Sequence, residues 1–504
     1  MTGETTTKRI LSILLAALIG GGALAACGEQ ADTGAPASTT AASDGNAAAD
    51  TTAEETTRHM PDLPDQDLGG REFNIVLGGN EEHGITPDDI SAEEQTGDTI
   101  NDARYERNLH VQEKFNIKLV SIVCNTGTGG DSMNKVKKAV TAGDTTYDAA
   151  FLGGYDTCTL ARNGMLYDMY TIPNLDLSQE WWDQNANNEL TIKNHMFYTT
   201  GDISTFDDDA TYVIMFNKRL ANNVGLPNFY EMVKNGTWTL DNYKANAVTV
   251  HEDLNGDGVF DQNDRYGILI WDDSMMGVVN STGTKCCIVN DNGEIELTIF
   301  NDKVVNAISS FFEVAFDNAI SITYQRSKYG GWDGNLCTSM FISDQALFWM
   351  RLMLDVANLR NMETDFGILP YMKYDESTPE YYCTEGSWHS IFVCVPISIS
   401  DPELTGAVLE MLAAEGRYTT TPAYYDVALK GKYARDEESL EMLDIIVKSR
   451  CYDLGWYYAI GGYNEEVMNL LRNFKDGFTT MYEKKATKAQ KDIDKINAAF
   501  DEIG

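Results

Sequence analysis

Between residues 68 and 154, short apolar segments alternate with longer amphipathic ones, and this alternation constrains the fold more than any other feature of the chain. The residues in 72–77, 117–123 and 147–152 predict strands, and glycine-rich or polar turns separate these from the segments around them. The segments from Asp98 to about Phe115 and from Met133 to Ala142 predict helices, with Asp98 as an N-cap. Strand, helix, strand, helix and strand in succession predict an α/β sheet with helices on its faces.

The order is less regular after residue 154, but apolar segments continue to the end of the chain. Strands are predicted at 210–216, 266–271 and 390–396, and 340–350 and 365–369 could each be a strand or the start of a helix. Helical spacing of apolar residues is found at 240–251, 304–316, 404–412, 436–448 and 464–500. The chain of 504 residues is therefore long enough for several α/β layers.

The N-terminus has the organisation of a secretory signal. Lys8 and Arg9 precede an apolar run, Ile10 to Ile19. This run is too short to span a bilayer, which requires about 20 apolar residues. Leu24-Ala25-Ala26-Cys27 follows, and it resembles the lipobox of bacterial lipoproteins. The resemblance implies a signal peptide over residues 1–26 and lipid on Cys27; the alternative is an ordinary secretory signal followed by a cysteine. The polar segment 27–67 predicts a disordered tether.

The charge excludes some partners. With 77 Asp and Glu against 38 Lys and Arg, the formal net charge is −39. Such a surface repels nucleic acid, so no nucleic-acid partner is expected. Eight cysteines remain after Cys27, without metal-binding spacing, and we expect most of them to be buried apolar residues.

The segment 253–264 predicts a calcium loop. Its oxygen ligands would be Asp253, Asn255, Asp257, the backbone carbonyl of Val259, Asp261 and Asp264, in the spacing of an EF-hand loop. Aspartate stands at position 12 in place of glutamate, which weakens closure around the ion. We expect calcium in a structural role; the alternative is a solvated polar turn.

The chain is rich in aromatic residues, with eight Trp and 25 Tyr, and flat rings stack on the apolar faces of sugars. Candidates at predicted strand ends and turns are Tyr155, Trp271, Trp332, Trp349 and Trp388. For any one Trp a core position is the commoner explanation. Trp388 is the exception, because Gly386-Ser387-Trp388-His389 comes directly before a strand.

No catalytic constellation is found. The sequence contains no G-x-S-x-G, H-E-x-x-H or phosphate-binding G-x-x-x-x-G-K-[ST] motif. Asp202 and Asp207 to Asp209 are interpreted as a solvated or hinge segment and not as an acid/base pair. We therefore expect no enzyme.

The order of segments resembles that of extracellular solute-binding proteins (family 1 type) of bacterial ABC transporters, especially lipoproteins of carbohydrate uptake. The resemblance rests on short segments spread over roughly 430 residues: 67–74, 94–108, 147–153, 181–184, 201–204, 216–218, 253–267, 367–370 and 421–425.

The resemblance implies a type II periplasmic-binding-protein-like α/β fold with two lobes joined by hinge strands. Lobe one would hold 68–203 and 386–420, and lobe two 204–385 and 421–504. A sugar or oligosaccharide would bind between the lobes, at the loops that follow strands. Its expected contacts are Asn80, Glu81, Tyr155, Asp202, Trp271 and Trp388.

The expected function is sugar capture by a monomer, lipid-anchored on the extracellular side of the cell membrane, and delivery to an ABC permease. The alternatives are an exported carbohydrate-active enzyme of the glycoside hydrolase type, a binding protein for a peptide or another solute, or a dockerin-like module.

Overall fold

A computed structural model describes residues 58–79, 90–124, 130–323, 335–359, 361–430 and 437–503. The residues from Arg58 onward form one compact unit. The predicted signal peptide, Cys27, most of the tether, Asn80, Glu81 and Trp332 lie outside the described residues.

The strands and helices alternate along most of the chain. The strands are β1 (Arg71–Gly78), β2 (Ile117–Cys124), β3 (Ala149–Gly153), β4 (Tyr198–Thr199), β5 (Tyr212–Asn217), β6 (Tyr266–Ile270), β7 (Cys287–Val289), β8 (Ile295–Leu297), β9 (Ser321–Thr323), β10 (Ala346–Leu352), β11 (Phe366–Leu369), β12 (Cys383–Thr384), β13 (Ile391–Cys394) and β14 (Arg450–Cys451). The helices are α1 (Thr99–Phe115), α2 (Asp131–Ala142), α3 (Gly154–Ala161), α4 (Gln184–Leu190), α5 (Phe206–Asp209), α6 (Lys218–Asn223), α7 (Phe229–Lys234), α8 (Leu240–Ala247), α9 (Ser274–Asn280), α10 (Asp302–Ala315), α11 (Asn335–Ile342), α12 (Pro402–Tyr418), α13 (Thr420–Lys430), α14 (Glu437–Lys448), α15 (Leu454–Tyr457), α16 (Tyr463–Arg472) and α17 (Phe478–Ile503).

The first sheet has the strand order β2-β1-β3-β13-β4. β1 runs parallel to β2 and β3, with Arg71 opposite Ile117 and Ile75 opposite Ala149. β13 is antiparallel to β3 and β4. The β1-α1-β2-α2-β3 succession confirms the α/β alternation that the sequence predicts.

The second sheet has the order β11-β5-β10-β6-β9. β10 lies antiparallel to β5, with Phe348 opposite Phe216, and parallel to β6. All five of its strands are buried along nearly their whole length, as expected for a sheet covered by helices on both faces.

Among the described residues, two connections join strands of the first sheet to the second sheet and back, and these two crossings lie side by side. The first crossing segment (200–211) joins β4 to β5, and the second (385–390) leads back to β13. Thr211 bridges to Glu385, and the Gly386 N–H donates to the Ala210 carbonyl at 2.8 Å. Two sheets joined by paired crossings confirm the two-lobed α/β fold; the end points of the lobes stay a prediction. α13, which that prediction assigns to lobe two, packs against α1 and α12.

Local signals account for the elements that sequence predicted well. Asp98 caps α1 by accepting from the N–H groups of Ile100 and Asn101, as expected. α8 ends at Ala247, earlier than predicted, where the chain packs closely on β6. A Cβ on Gly267 would lie 2.1 Å from the Ala247 carbonyl oxygen, so this approach requires glycine.

Two predicted segments are divided in the structure. Residues 340–350 separate into the end of α11 and β10, because Asp344 adopts φ +56° and ends the helical path. Residues 464–500 separate into α16 and α17 at Phe474, whose φ is +50°. Its ring packs on Phe316 at 5.1 Å, a long-range contact that helical spacing does not reveal.

No helix in the described part of the chain is long and apolar enough to cross a membrane. The eight cysteines of the described ranges are buried free thiols, which confirms the expectation that most are small core residues.

Candidate ligand-binding site

Tyr155 is held at the C-terminal end of β3, where α3 begins. Its hydroxyl accepts a hydrogen bond from Asn464 Nδ2 at 2.8 Å and shares a second hydrogen bond with the Ser387 hydroxyl, also at 2.8 Å. Asn464 is the second residue of α16, and Ser387 lies in the second crossing segment. Tyr155 thus joins three separate parts of the chain.

Burial is the main cause that raises the pKa of Tyr155, to about 12. The nearby carboxylates of Glu465 and Asp273 raise it further, while its two hydrogen bonds act in the opposite direction. The phenol is therefore neutral, and it serves as a hydrogen-bonding group at physiological pH.

Trp388 lies beside Tyr155 and is exposed. The ring centroids are 5.1 Å apart and the rings meet edge to face. Trp388 is 41% exposed, whereas Trp181, Trp182, Trp238, Trp349 and Trp456 are almost completely buried. Trp349 is therefore a core residue, and among the predicted aromatic candidates the structure brings together Tyr155 and Trp388.

Trp271 follows β6 at the end of the second sheet, and a pair of carboxylates comes directly after it. The Arg351 guanidinium lies over the Trp271 ring, 4.6 Å from its centroid, and so covers one face. Asp272 forms an ion pair with Arg472, which also binds Glu465 at 2.8 Å. The pKa of Asp272 is raised, first by burial and then by repulsion from Asp273.

Sequence reasoning did not identify Asn464, Glu465 or Arg472. Asn464 Oδ1 is buried and has no hydrogen-bond partner within the described residues. Glu465 and Arg472 are seven residues apart on α16, two helical turns, so they share a face; this spacing was the available signal. That face meets the residues after β6 only through tertiary packing.

Asp202 lies in the first crossing segment, and both of its carboxylate oxygens have partners. Thr421 Oγ1 donates to one oxygen at 2.8 Å, and Arg417 Nη1 lies 3.2 Å from the other. Burial raises the pKa of Asp202 to about 6. These contacts fix α12 and α13 to the crossing segment, and ligand binding by Asp202 stays a prediction.

The carboxylates of α5 are buried, which corrects the expectation of a solvated segment. Asp207 and Asp208 are 3% and 6% exposed, and both pair with Arg450 of β14. Arg450 Nη1 lies 2.7 Å from Asp207 and 3.4 Å from Asp183, the N-cap of α4. We call these four residues the Arg450 cluster. Arg450 follows Asp207 by 243 residues, so no local pattern could predict it.

Glu385 begins the second crossing segment next to the Arg450 cluster. Its carboxyl accepts hydrogen bonds from Ser390 and Tyr457. Burial nevertheless raises the pKa of Glu385 to about 8. The side chain therefore keeps its proton at neutral pH, in contrast to an exposed glutamate.

The predicted calcium loop is closed by its own hydrogen bonds. Asp253 accepts from the N–H groups of Gly256 (2.7 Å) and Gly258 (2.8 Å), and Asp257 accepts from Val259 N–H at 2.8 Å. Gly256 and Gly258 have φ values of +73° and +76°, so the turn requires glycine at both positions. The oxygen atoms of this loop are ligands of the kind that a hard cation prefers. In the described residues, however, no group of three or more Asp, Glu, Cys or His side chains is placed to hold a metal ion. Calcium binding stays a prediction.

Comparison with known proteins shows the fold. No protein-family model matches the sequence, and no curated protein matches it. Among solved structures, the chain is similar to a sugar transporter protein from Rhizobium etli in an open conformation, with 11% identity, a TM-score of 0.55, and coverage of 85% of this chain and 98% of that one.

Two further similar structures were solved with sugars bound. A cyclo/maltodextrin-binding protein complexed with maltotetraose is 10% identical, with a TM-score of 0.54, over 84% of this chain and 97% of that one. An ABC transporter solute-binding protein from Thermotoga lettingae, bound with α-D-tagatose, is 15% identical, with a TM-score of 0.51, over 85% of this chain and all of that one. The chain therefore has the two-lobed α/β fold of the solute-binding proteins of ABC transporters.

Proposed function

We propose that the protein binds a sugar or oligosaccharide between its two lobes and delivers it to an ABC importer. The observation that carries this proposal is the exposed Trp388, held edge to face against Tyr155 where the chain crosses between the sheets. The fold supports it, because the similar structures include proteins solved with maltotetraose and tagatose.

The chemistry around Trp388 suits a sugar. A free indole face can stack on the apolar C–H face of a pyranose, and aromatic residues often supply this apolar part of a binding site. The carboxylates of Asp273 and Glu465 and the unpartnered Asn464 Oδ1 supply acceptors for hydroxyl groups. Trp271, whose ring the Arg351 guanidinium contacts, belongs to the proposed set through its position after β6. Asn80 and Glu81, predicted after β1, and Asp202 complete the proposed set.

The proposed mechanism is lobe closure without any covalent step. A ligand that contacts Trp388 and Tyr155 on one side and the residues after β6 on the other binds the closed arrangement better than the open one. It therefore shifts the population toward closure by that difference in affinity. The paired crossing segments are where the backbone would change its dihedral angles.

We also propose that lipid on Cys27 anchors the protein to the outer face of the cell membrane, where it acts as a monomer. A flexible tether of about 40 residues has a root-mean-square span of roughly 35 Å. Such a tether keeps the binding protein near its permease and raises the effective concentration between them.

Calorimetric titration with a panel of linear and cyclic oligosaccharides and monosaccharides tests the proposal. We expect at least one sugar to bind saturably, and Trp388→Ala to weaken the binding of that sugar by about tenfold or more. Removing an aromatic side chain on which a nucleobase stacks costs about 1–3 kcal/mol, and we expect a similar loss for a stacked sugar, where about 1.4 kcal/mol corresponds to tenfold in affinity. Tyr170→Ala removes another exposed ring, outside the site, and should leave binding unchanged. Peptide binding without sugar binding would overturn the proposal.

A further inference from the structure

A surface groove of about 490 Å³ lies between the end of α3, the turn at Tyr458 and the second half of α17. Its polar lining consists of Arg162, Asn163, Tyr458, Lys488, Asp492 and Lys495. None of these residues belongs to the proposed sugar site. Its volume falls in the range of small-molecule sites, about 300–1,000 Å³. We call it the α3–α17 groove.

The charge of the α3–α17 groove is opposite to that of the chain. Asp and Glu outnumber Lys and Arg by 77 to 38 in the whole sequence, but three cations and one carboxylate line this groove. Asp492 Oδ2 is engaged by Lys488 Nζ at 2.7 Å and by the Gly461 N–H at 3.1 Å. Over the described ranges, no carboxylate forms a salt bridge with Arg162 or Lys495. The groove therefore has positive charge that its own residues do not neutralise.

The cations are attached to packed elements. α17 is fixed by a buried stripe at Ala489, Ile493, Ile496 and Phe500, and the Phe500 ring meets Phe197 edge to face at 5.3 Å. Arg162 continues α3 through its N–H bond to the Cys158 carbonyl at 3.1 Å. Because the backbones of α17 and of the end of α3 are held in place, ligand binding would cost conformational entropy only in the side chains.

The groove also has an apolar part. Ile496 and Ala499 of α17 line it beside the charged residues, and Ile496 is buried. A site with unneutralised cations, an amide at Asn163 and an apolar wall suits an anionic group carried on an organic body. Arg162 can bind a carboxylate or phosphate in a bidentate manner, and Lys495 can act as a point charge.

We propose that the α3–α17 groove binds a small organic anion carrying carboxylate or phosphate groups, with Arg162 and Lys495 as its charge partners. The anion would join α3 to α17. Tyr155 of the proposed sugar site lies near the other end of α3, so the anion stabilises the helix that carries it. This site is distinct from the sugar site, and its test does not require the sugar to be known.

The test is calorimetry and thermal unfolding of the full chain with citrate and with pyrophosphate. Methanesulfonate at the same concentration is the control, because a sulfonate accepts weaker hydrogen bonds, and the ionic strength is kept constant throughout. We expect saturable binding of citrate or pyrophosphate and an increase in Tm. Arg162→Gln/Lys495→Gln should weaken this binding at least tenfold. Lys484→Gln/Lys491→Gln removes the same charge from exposed positions of the same chain outside the groove, and should change the affinity less than twofold.

The single variant Arg162→Gln changes one exposed residue of the groove. Its affinity for the anion should lie between that of the wild type and that of Arg162→Gln/Lys495→Gln. A preference for citrate would identify a carboxylate ligand, and a preference for pyrophosphate a phosphate ligand; either supports the site. No saturable binding of citrate or pyrophosphate would overturn the proposal. Equal losses in the groove and control variants would also overturn it, because they would show attraction to net charge alone.

Discussion

Trp388 and Tyr155 show how one exposed ring can be held ready for a ligand. Tyr155 is fixed by hydrogen bonds to Asn464 and Ser387, and the Trp388 ring meets that fixed ring in an edge-to-face contact while remaining 41% exposed. An exposed tryptophan on a rigid support loses little conformational entropy when a ligand stacks on it. The support also explains why a single-atom change at Tyr155 should be felt at the site.

Tyr155→Phe tests this support. The change removes the hydroxyl and leaves Asn464 Nδ2 without its 2.8 Å acceptor, so we expect a stability loss of about 1–3 kcal/mol and weaker sugar binding. Urea unfolding and calorimetry measure the two effects. Tyr170→Phe, which removes an exposed hydroxyl bonded to Thr191, is the matched control. An unchanged stability for Tyr155→Phe would show that the hydroxyl does not support the site.

The raised pKa of Glu385 makes the free energy of unfolding depend on pH, and the sign of this dependence is defined. Because burial raises the pKa of Glu385 to about 8 in the folded state, the native protein binds a proton that the unfolded chain releases above about pH 4.5. Its contribution to the free energy of unfolding is present below the unfolded pKa and is lost as pH rises through the folded pKa. The slope can reach about 1.4 kcal/mol per pH unit within that window.

Glu385→Gln should remove this part of the slope, since glutamine does not titrate. Urea unfolding at pH 5.5, 6.5 and 7.5 measures it, with the exposed Glu313→Gln as the control for loss of one carboxylate. We expect the free energy of unfolding of Glu385→Gln, relative to wild type, to increase with pH. The same pH dependence in both proteins would contradict a protonated Glu385.

At the scale of elements, the Arg450 cluster ties β14 to α5 and α4 beside the two crossings. β14 pairs with β12, which leads directly into the second crossing segment, while Asp207 and Asp208 belong to the first. One buried guanidinium thus connects both crossings. Breaking a buried ion pair by removing one partner leaves uncompensated charge, at a cost of about 3–5 kcal/mol.

Arg450→Met is expected to lower the free energy of unfolding by about that amount. Arg417→Met removes a more exposed arginine that pairs with Glu180 and Asp202, and should cost less than about 1 kcal/mol for the ion pair. Denaturant unfolding measures both variants. A cost for Arg450→Met no larger than that of Arg417→Met would show that the cluster does not stabilise the crossings.

The 253–264 loop predicts a calcium effect at the same scale. If the loop binds calcium, chelator should lower the Tm of the wild-type protein, and Asp257→Ala should abolish that shift by removing a ligand oxygen. Differential scanning calorimetry with and without EGTA measures the effect. An identical chelator response in both proteins would place the metal elsewhere, and no response in either would make the loop a hydrogen-bonded turn.

The elements that sequence predicted well are those whose signals are local. The Asp98 cap, the apolar run of β1 and the helical spacing of α12 depend on neighbours a few residues away. The divisions at Asp344 and Phe474 depend on left-handed residues and long-range packing, which periodicity does not contain. The Arg450 cluster was missed for the same reason, since its partners are more than 240 residues away along the chain.

At the scale of the whole molecule, the predicted two-lobed fold is confirmed, and the proposed site lies where the lobes are connected. Trp388 could be predicted because it precedes a strand in a glycine-containing turn. Asn464, Glu465 and Arg472 could not, because a helix near the end of the chain meets β6 only in the folded protein.

Lipid anchoring predicts a difference between cells and solution. Cys27→Ala removes the proposed lipid site, so it should leave sugar affinity of the purified protein unchanged and impair uptake by cells. Radiolabelled sugar uptake and membrane fractionation measure this, with secretion confirmed by immunoblot of the medium. Retention of Cys27→Ala in the membrane fraction would contradict the anchor.

The central claim is that the two lobes close on a sugar, and small-angle X-ray scattering tests it most directly. The protein is measured without ligand and with a saturating amount of the sugar that calorimetry identifies, with Trp388→Ala measured in parallel at the same sugar concentration. We predict a decrease in the radius of gyration for the wild type and a smaller decrease for Trp388→Ala where the sugar no longer saturates it. An unchanged radius of gyration at full saturation would contradict closure.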